Sequence, residues 1–248
     1  MKLLVSDYDG TFYTKKKNCK NVKLNIKKIQ EFIDKGNLFM LSSGRSYYSL
    51  MEYVWAQKIP VNYVATEDGS HLFDKSGNVL YEEFLDTSIL EKLEPLLRLK
   101  RHSEVQFGTT REYFYNKIPK QKVSSINLVI NEKNINKEFK NEWKKLEKEN
   151  NDKYGFLRYD YADIHYYCIK PKGIDKSKPI EELSKKLEIP KKDIFTVGDG
   201  INDFPMILDY NGYVIGKKEE LNKIALHKYK HLHELVDDIE NKKVLRRW

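Results

Sequence analysis

Lys2-Leu3-Leu4-Val5-Ser6-Asp7-Tyr8-Asp9-Gly10-Thr11 runs from an apolar segment into two carboxylates that flank one residue, then into glycine and threonine. A short apolar run closed by turn residues reads as a buried strand, and this one delivers acid to the loop that follows it. In open α/β sheets ligands collect beyond the carboxyl ends of the strands, so Asp7 and Asp9 stand where chemistry is usually done. Two carboxylates at this spacing can share a hard divalent cation, one through its side chain and the other through its backbone carbonyl. One side chain is then left free to move protons. The plainer reading of the same residues is an Asp-Gly turn that reverses the chain.

The pattern outward from this stretch repeats. Val22, Ile26, Ile29 and Ile33 share one helical face, and Gly36 closes the helix. Leu38-Phe39-Met40-Leu41 is apolar throughout, like a buried parallel strand, and ends in Ser42-Ser43-Gly44-Arg45. Residues 46–58 read as a second helix halted before Pro60, and Tyr63-Val64-Ala65 as a third strand ending at Glu67-Asp68-Gly69. This β-α-β-α-β order implies a parallel sheet with right-handed crossovers. His71-Leu72-Phe73 and Val79-Leu80-Tyr81 then read as a hairpin.

From residue 84 to about 169 the periodicity predicts a helix interrupted at Pro95, strands near 103–107, 111–115 and 124–130, a polar helix near 134–149, and strands near 155–159 and 164–169. That α-β-β unit, used twice, implies an antiparallel sheet with helices on one face. After Pro171 the α/β pattern resumes. Lys176 precedes a helix bearing Ile180, Leu183 and Leu187, with Pro179 in its first turn. Ile194-Phe195-Thr196-Val197 is a further buried strand ending in Gly198-Asp199-Gly200-Ile201-Asn202-Asp203. A last strand at Tyr213-Val214-Ile215 and helices near 219–227 and 233–243 follow. The fold expected is α/β, with a Rossmann-like parallel-sheet core from residues 1–82 and 171–248 and an inserted α+β cap at 83–170.

Composition narrows the class. At 248 residues with 40% hydrophobic content the chain can bury a sizeable core without staples. Its two cysteines, Cys19 and Cys168, have no metal-like spacing and suit a reducing compartment. No apolar run approaches a membrane span and no signal-like segment precedes Asp7, so a cytoplasmic protein without a membrane partner is expected. The net charge of +8 comes mostly from dispersed lysines such as Lys15-Lys16-Lys17 and Lys144-Lys145, which read as solvated surface. No nucleic-acid partner follows from it. The basic end, Lys242 to Trp248, reads as a frayed tail.

Four strand ends thus carry polar loops: Asp7 with Asp9, Ser43, Glu67 with Asp68, and Asp199 with Asp203. Lys176 stands at a helix start. With these residues in this order the chain resembles the haloacid dehalogenase-like (HAD) phosphatases, in particular the Cof-like or type IIB branch with a large cap after the third core strand. Asp7 to Thr11 is similar to the first family motif, Ser43-Gly44-Arg45 to the second, Lys176 to the third, and Gly198 to Asp203 to the fourth. The cap matches in length and repetition alone.

The resemblance implies a Mg2+-dependent phosphatase acting on a small phosphorylated metabolite, a sugar phosphate or a phosphorylated cofactor. By its motifs Asp7 is the nucleophile that becomes an aspartyl-phosphate, and Asp9 the general acid and base. Mg2+ falls to the Asp7 carboxylate, the Asp9 carbonyl and Asp199. Lys176 and the Ser43 hydroxyl would bind the transferring oxygens, with Thr11, Gly44 and Asn202 as further phosphate-binding positions. Asp203 would act from behind, orienting Lys176. A cap of this kind closes over the strand ends and chooses the leaving group, with Arg111, Lys117, Lys120 and Lys122 as candidates to meet anionic substrate parts.

Plainer roles exist for several of these residues. Ser43 can cap the helix beginning at Ser46. Arg45 reads as a brace or ion-pair partner in preference to a phosphate ligand. Asp68 stands where the family often has Asn, and Gly216-Lys217-Lys218 lacks a common Asn-Ala pair. His231 and His233 read as exposed, without a third metal ligand. Cap tyrosines 113, 115, 159, 161, 166 and 167 read mostly as packing residues. The rival functions are a phosphosugar mutase on the same core, or a non-enzymatic binding protein that keeps the fold. A monomer or weak homo-oligomer is expected.

Overall fold

The computed structural model describes residues 1–14 and 19–248, apart from the side chains of Cys19 and Tyr161. Lysines 15–17, expected on the surface, lie outside the described residues, as does the Cys19 thiol. The chain divides into two compact units: Met1–Arg45, Ser49–Tyr81 and Asp175–Trp248 form one, and Ser46–Tyr48 with Glu82–Ile174 the other.

The chain opens with β1 (Leu3–Asp7), α1 (Cys19–Asp34), β2 (Leu38–Ser42), α2 (Tyr47–Gln57), β3 (Tyr63–Thr66), β4 (His71–Asp74) and β5 (Val79–Glu82). It continues through α3 (Ser88–Arg98), β6 (Glu104–Gly108), β7 (Tyr113–Tyr115), β8 (Ser125–Asn131), α4 (Lys137–Asn150), β9 (Tyr154–Tyr161) and β10 (Ile164–Pro171). It closes with α5 (Lys178–Leu187), β11 (Ile194–Gly198), α6 (Phe204–Asp209), β12 (Asn211–Ile215), α7 (Glu219–Asn222), β13 (His227–Tyr229) and α8 (Leu232–Glu240).

The first unit is organised on a sheet of order β13-β12-β11-β1-β2-β3-β4-β5. From β13 to β3 the pairings are parallel, and β4 turns back antiparallel on β3. Every residue of β1, β11 and β12 is buried. Side chains alternate across a strand, so Leu3 and Val5 join Met40, Ile180, Leu183, Ile194, Met206 and Val214 on one face. Leu4 points to the opposite face, which α1 and α8 cover by packing on one another. A strand buried on both faces must be apolar almost throughout, which explains the short hydrophobic runs.

Register fixes where the acids go. In the parallel pairing Asp7 lies opposite Ser42, and Ser6 opposite Val197. The loops that leave β1, β2 and β11 therefore emerge side by side at one edge of the sheet.

The second unit is an antiparallel sheet of order β7-β6-β8-β10-β9. Ile126, Leu128, Tyr167 and Ile169 pack with Ile89, Leu93 and Leu96 of α3 and with Phe139, Trp143 and Leu146 of α4. Asn136 caps α4 by accepting from the Phe139 N–H at 2.9 Å. Tyr167 is buried, Tyr113, Tyr159 and Tyr166 are half-buried and Tyr115 is exposed, so the cap tyrosines pack less completely than expected.

Several elements differ from expectation. Helix α3 runs unbroken through Pro95. The ring removes one backbone bond on an exposed turn, while Leu93 and Leu96 on either side hold the helix to its core. The expected helix at 219–227 is one turn, α7, and its remainder is spent reaching β13, a three-residue edge strand. His227 and Lys228 disguise that strand, as charge on edge strands commonly does. Helix α6 was not anticipated; six residues give little periodicity to read. His231 and His233 are half-buried, not exposed: their rings stack at 5.2 Å, and Asn21 and Asn25 contact them.

The basic tail is docked, not frayed. The Tyr213 hydroxyl donates to the Leu245 carbonyl at 2.5 Å, and the Arg247 N–H donates to Asn211 Oδ1 at 2.7 Å. The Arg247 guanidinium donates to the carbonyls of Ile207, Leu208 and Ile224. The first two belong to the last turn of α6, where carbonyls lack partners within the helix. Arg247→Ala is expected to lower the unfolding free energy by about 1.5–3 kcal/mol, the range for hydrogen bonds to a charged group. Lys243→Ala, at an exposed position, should stay within about 0.5 kcal/mol of the parent. Urea denaturation of the two variants checks the contrast.

Candidate active site

Strand β1 ends at Asp7, which is 5% exposed. The turn before α5 brings Lys176 to the same place, fully buried. Its ammonium donates to Asp7 Oδ1 at 2.7 Å and to Asp203 Oδ1 at 2.6 Å. The other Asp203 oxygen accepts from the N–H groups of Asp199 and Gly200, at 2.9 and 2.8 Å. Asp203 thus anchors both the lysine and the turn that presents Asp199. Asp199 accepts from the Thr11 hydroxyl at 2.8 Å. Gly10 has φ of +97°, and a Cβ there would fall 2.2 Å from Asp199 Oδ2, so both conformation and space require glycine. Asp7, Asp199 and Asp203 each bring a carboxylate oxygen within 4.8 Å of the other two.

The remaining expected site residues are distributed around this cluster. Ser43, 2% exposed, follows β2, and its hydroxyl oxygen accepts from the Arg45 N–H at 3.2 Å. It does not cap α2, which begins four residues later. A Cβ on Gly44 would stand 3.0 Å from Asp68 Oδ1. That same Asp68 oxygen accepts from Asn202 Nδ2 at 2.9 Å, so Asn202 is held across the loops by Asp68. The Asp9 side chain is set apart from the buried cluster: its oxygens accept from Arg45 Nε at 2.6 Å and Nη2 at 2.9 Å. In the second unit Lys117, Lys120 and Lys122 are exposed, and Lys122 lies 5.2 Å above the Phe84 ring.

A family model for haloacid dehalogenase-like hydrolases matches residues 4–227. The chain belongs to that family. It is similar to 5-amino-6-(5-phospho-D-ribitylamino)uracil phosphatase YcsE of Bacillus subtilis (strain 168), with 22% identity over 228 residues that cover 90% of this chain and 87% of that protein. Among solved structures it is similar to a haloacid dehalogenase-like hydrolase from Bacteroides thetaiotaomicron, with TM-score 0.79, 19% identity, and 96% and 99% of the two chains covered. A subclass IIB sugar phosphatase of the same superfamily aligns with TM-score 0.74 and 16% identity over 97% and 99% of the chains. No helix among the described residues is long and apolar enough to cross a membrane.

The electrostatics of this haloacid dehalogenase-like site show what its donor set fits. Burial pushes the Asp7 carboxyl well above the usual carboxylate range; Lys176 pulls it down, and Asp203 and Asp199 push it up again. Burial raises Asp199 as well, against the Thr11 hydrogen bond. Burial alone would lower Lys176, but the carboxylates of Asp203, Asp7 and Asp68 outweigh it and hold the ammonium above the ordinary lysine range. Three carboxylates against one ammonium leave a formal charge of −2 on the cluster. Asp7 Oδ2 is buried and has no hydrogen-bond partner among the described residues, whereas both Asp203 oxygens are engaged. An oxygen donor set with one open buried oxygen and this charge fits a hard divalent cation.

Two features were outside the sequence reading. Thr11 is tied to Asp199, a contact between residues far apart in the chain. Arg45 also lies over the Tyr53 ring at 4.7 Å and the Tyr8 ring at 5.7 Å. The spacing of Arg45, Ser49 and Tyr53 at successive fourth positions is the signal that could have revealed the second feature.

Lys176→Met leaves Asp7 and Asp203 buried without their cation and should cost about 3–5 kcal/mol in unfolding free energy. The raised carboxyls give a pH dependence of definite sign. A carboxyl raised in the folded state stabilises below its unfolded value, near 3.8, and that contribution is lost as pH climbs through the folded value. The metal-free wild type therefore loses stability toward neutral pH, and Asp199→Asn escapes the part of that loss that Asp199 contributes, while the part from Asp7 remains. In EDTA the variant's melting temperature should exceed the wild type's by on the order of 2 °C at pH 8, with a smaller gap at pH 5. Thermal melts across that range check it.

Proposed function

We propose that the chain is a phosphatase that hydrolyses a small phosphorylated metabolite through an aspartyl-phosphate on Asp7, with Mg2+ as its cofactor. The observation that supports this most directly is the Asp7 carboxylate: one oxygen is fixed by Lys176, and the other is buried with no hydrogen-bond partner among the described residues.

The Asp7 carboxylate attacks phosphorus as the ester P–O bond breaks, and the departing alkoxide takes a proton from Asp9. Asp9, now a carboxylate, removes a proton from the water that attacks the phosphorus of the aspartyl-phosphate. The Asp7–phosphorus bond breaks, inorganic phosphate leaves, and both acids return to their starting forms. Lys176 orients the nucleophile and offers positive charge to the phosphoryl oxygens, and the Ser43 hydroxyl donates to one of them. Thr11 holds Asp199 in place, and Asp203 holds Lys176. Asp7, the Asp9 carbonyl and Asp199 would hold Mg2+, which when bound screens the dianionic phosphate from the attacking carboxylate.

The substrate class suggested is a phosphorylated polyol or sugar. The Bacillus subtilis relative is named for a phosphoribitylamino pyrimidine and a structural neighbour for sugar phosphates. The inserted unit is proposed as the part that discriminates among leaving groups, and the whole as a cytoplasmic enzyme.

The test is phosphate release from a panel of phosphosugars, phosphopolyols and nucleotides, measured with Mg2+, with EDTA, and with Asp7→Asn. Release should require the cation, and Asp7→Asn should lose at least about 1000-fold in kcat. Turnover that survives both the chelator and the substitution would overturn the mechanism. Asp9→Asn should slow turnover of an alkyl phosphate by about 100-fold through lost proton transfer.

A further inference from the structure

Asp9 has a geometric problem that Asp7 does not share. Asp7 is buried at a strand end, but Asp9 is exposed, in a loop whose next residue turns through a left-handed glycine. Nothing in the β1 backbone dictates where such a carboxylate points. Proton transfer nevertheless needs it within hydrogen-bond reach of the leaving oxygen, and misplacement by about 1 Å can cost on the order of 100-fold.

Arg45 supplies the missing constraint. Its Nε and Nη2 each donate to a different oxygen of Asp9, at 2.6 and 2.9 Å, which makes a planar fork. The guanidinium is itself fixed: Nη1 donates to Ser49 Oγ at 3.4 Å, and the Tyr53 and Tyr8 rings lie 4.7 and 5.7 Å away. Tyr8 is 1% exposed, and its hydroxyl accepts from Gln57 Nε2 at 3.1 Å. An unbroken run of contacts thus leads from the buried core through Tyr8 and Arg45 to Asp9. The fork occupies one lone-pair site on each Asp9 oxygen and leaves the other for a proton.

We infer that Arg45 is a positioning residue for proton transfer by Asp9, and that it does not serve as a phosphate ligand. This rests on the proposed role of Asp9. The ion pair is partly exposed, with side-chain accessibilities of 29% and 39%, so its contribution to fold stability is small. Its effect should appear in chemistry, selectively where the leaving group needs a proton.

The experiment compares kcat/KM for 4-nitrophenyl phosphate and glycerol phosphate in the wild type, Arg45→Gln, Arg45→Lys, Asp9→Asn and the Asp9→Asn/Arg45→Gln double variant. This parameter reports steps through departure of the leaving group, so slow hydrolysis of the phosphoenzyme does not obscure it. Nitrophenolate leaves without help, and a glycerol alkoxide does not. Arg45→Gln should lose about 30–100-fold with glycerol phosphate and less than about 5-fold with the aryl ester. Its melting temperature should stay within about 3 °C of the wild type. Arg45→Lys, a compact charge without the fork, should recover part of the loss. The double variant should be no worse than Asp9→Asn alone, because both changes remove one function.

Equal losses on the two esters, or losses that multiply in the double variant, would overturn the inference while leaving the Asp9 assignment intact. If Asp9→Asn itself shows no leaving-group dependence, the assignment of Asp9 fails, and the role of Arg45 fails with it.

Discussion

The structure of the first unit turns on one ammonium. Lys176 is fully buried, and it joins the end of β1 to the loop after β11 through Asp7 and Asp203, residues almost two hundred positions apart. Burying ions costs several kcal/mol each, and only close, well-aligned partners offset that cost. Apolar residues of similar volume would serve stability as well or better. The arrangement makes sense instead as fixed charge: the proposed nucleophile, Asp7, is held in one orientation beside a cation that cannot rotate away from it. The raised Asp7 and Asp199 carboxyls are the corresponding burden, a local excess of negative charge accepted where a divalent cation and a phosphate would meet.

Parallel pairing made this site legible from the sequence. Short, mostly apolar runs locate β1, β2, β3 and β11, and the polar residues that follow them must then share one sheet edge. Because β2 and β11 flank β1 directly, Ser43, Asp7 and Asp199 could be grouped without any coordinate. Short elements beyond that edge carry the weakest sequence signal. The run 219–227 carries apolar residues at helical spacing, yet only one turn forms and the chain then extends to pair with β12. Three residues on a charged edge strand hold too little pattern to compete with a helical reading.

Tertiary partners account for the other departures. A tail with four basic residues in seven looks solvated until the carbonyls at the end of α6, a helix too short to read, provide an acceptor site for Arg247. The paired histidines look exposed until α1 presents Asn21 and Asn25 against α8. Pro95 looks like a break until Leu93 and Leu96 are seen to be anchored in the core of the second unit. In each case the local signal is present in the sequence, and a partner distant along the chain changes its consequence. The same holds within the site: the threonine of the first motif was expected at phosphate, whereas its hydroxyl is bonded to Asp199.

The loop after β3 shows how such distant partners can impose an unfavourable backbone. Glu67 and Asp68 have φ of +50° and +48°, the left-handed region that side-chain-bearing residues seldom occupy. Two such residues in succession carry strain that neighbouring contacts must oppose. The Glu67 N–H donates to the Arg45 carbonyl at 2.9 Å and the Asp68 N–H to the Ser43 carbonyl at 3.0 Å, while the Asp68 carboxylate accepts from Asn202. The strained turn therefore binds the loop after β2 on one side and the loop after β11 on the other. Aspartate and asparagine both tolerate this conformation better than most residues, so the backbone explains a short polar side chain at position 68 but not its charge. The charge has its own consequence, because Asp68 adds to the field that keeps Lys176 protonated. A turn that looks dispensable in sequence is thus tied to two of the other three strand ends on which the proposed chemistry depends.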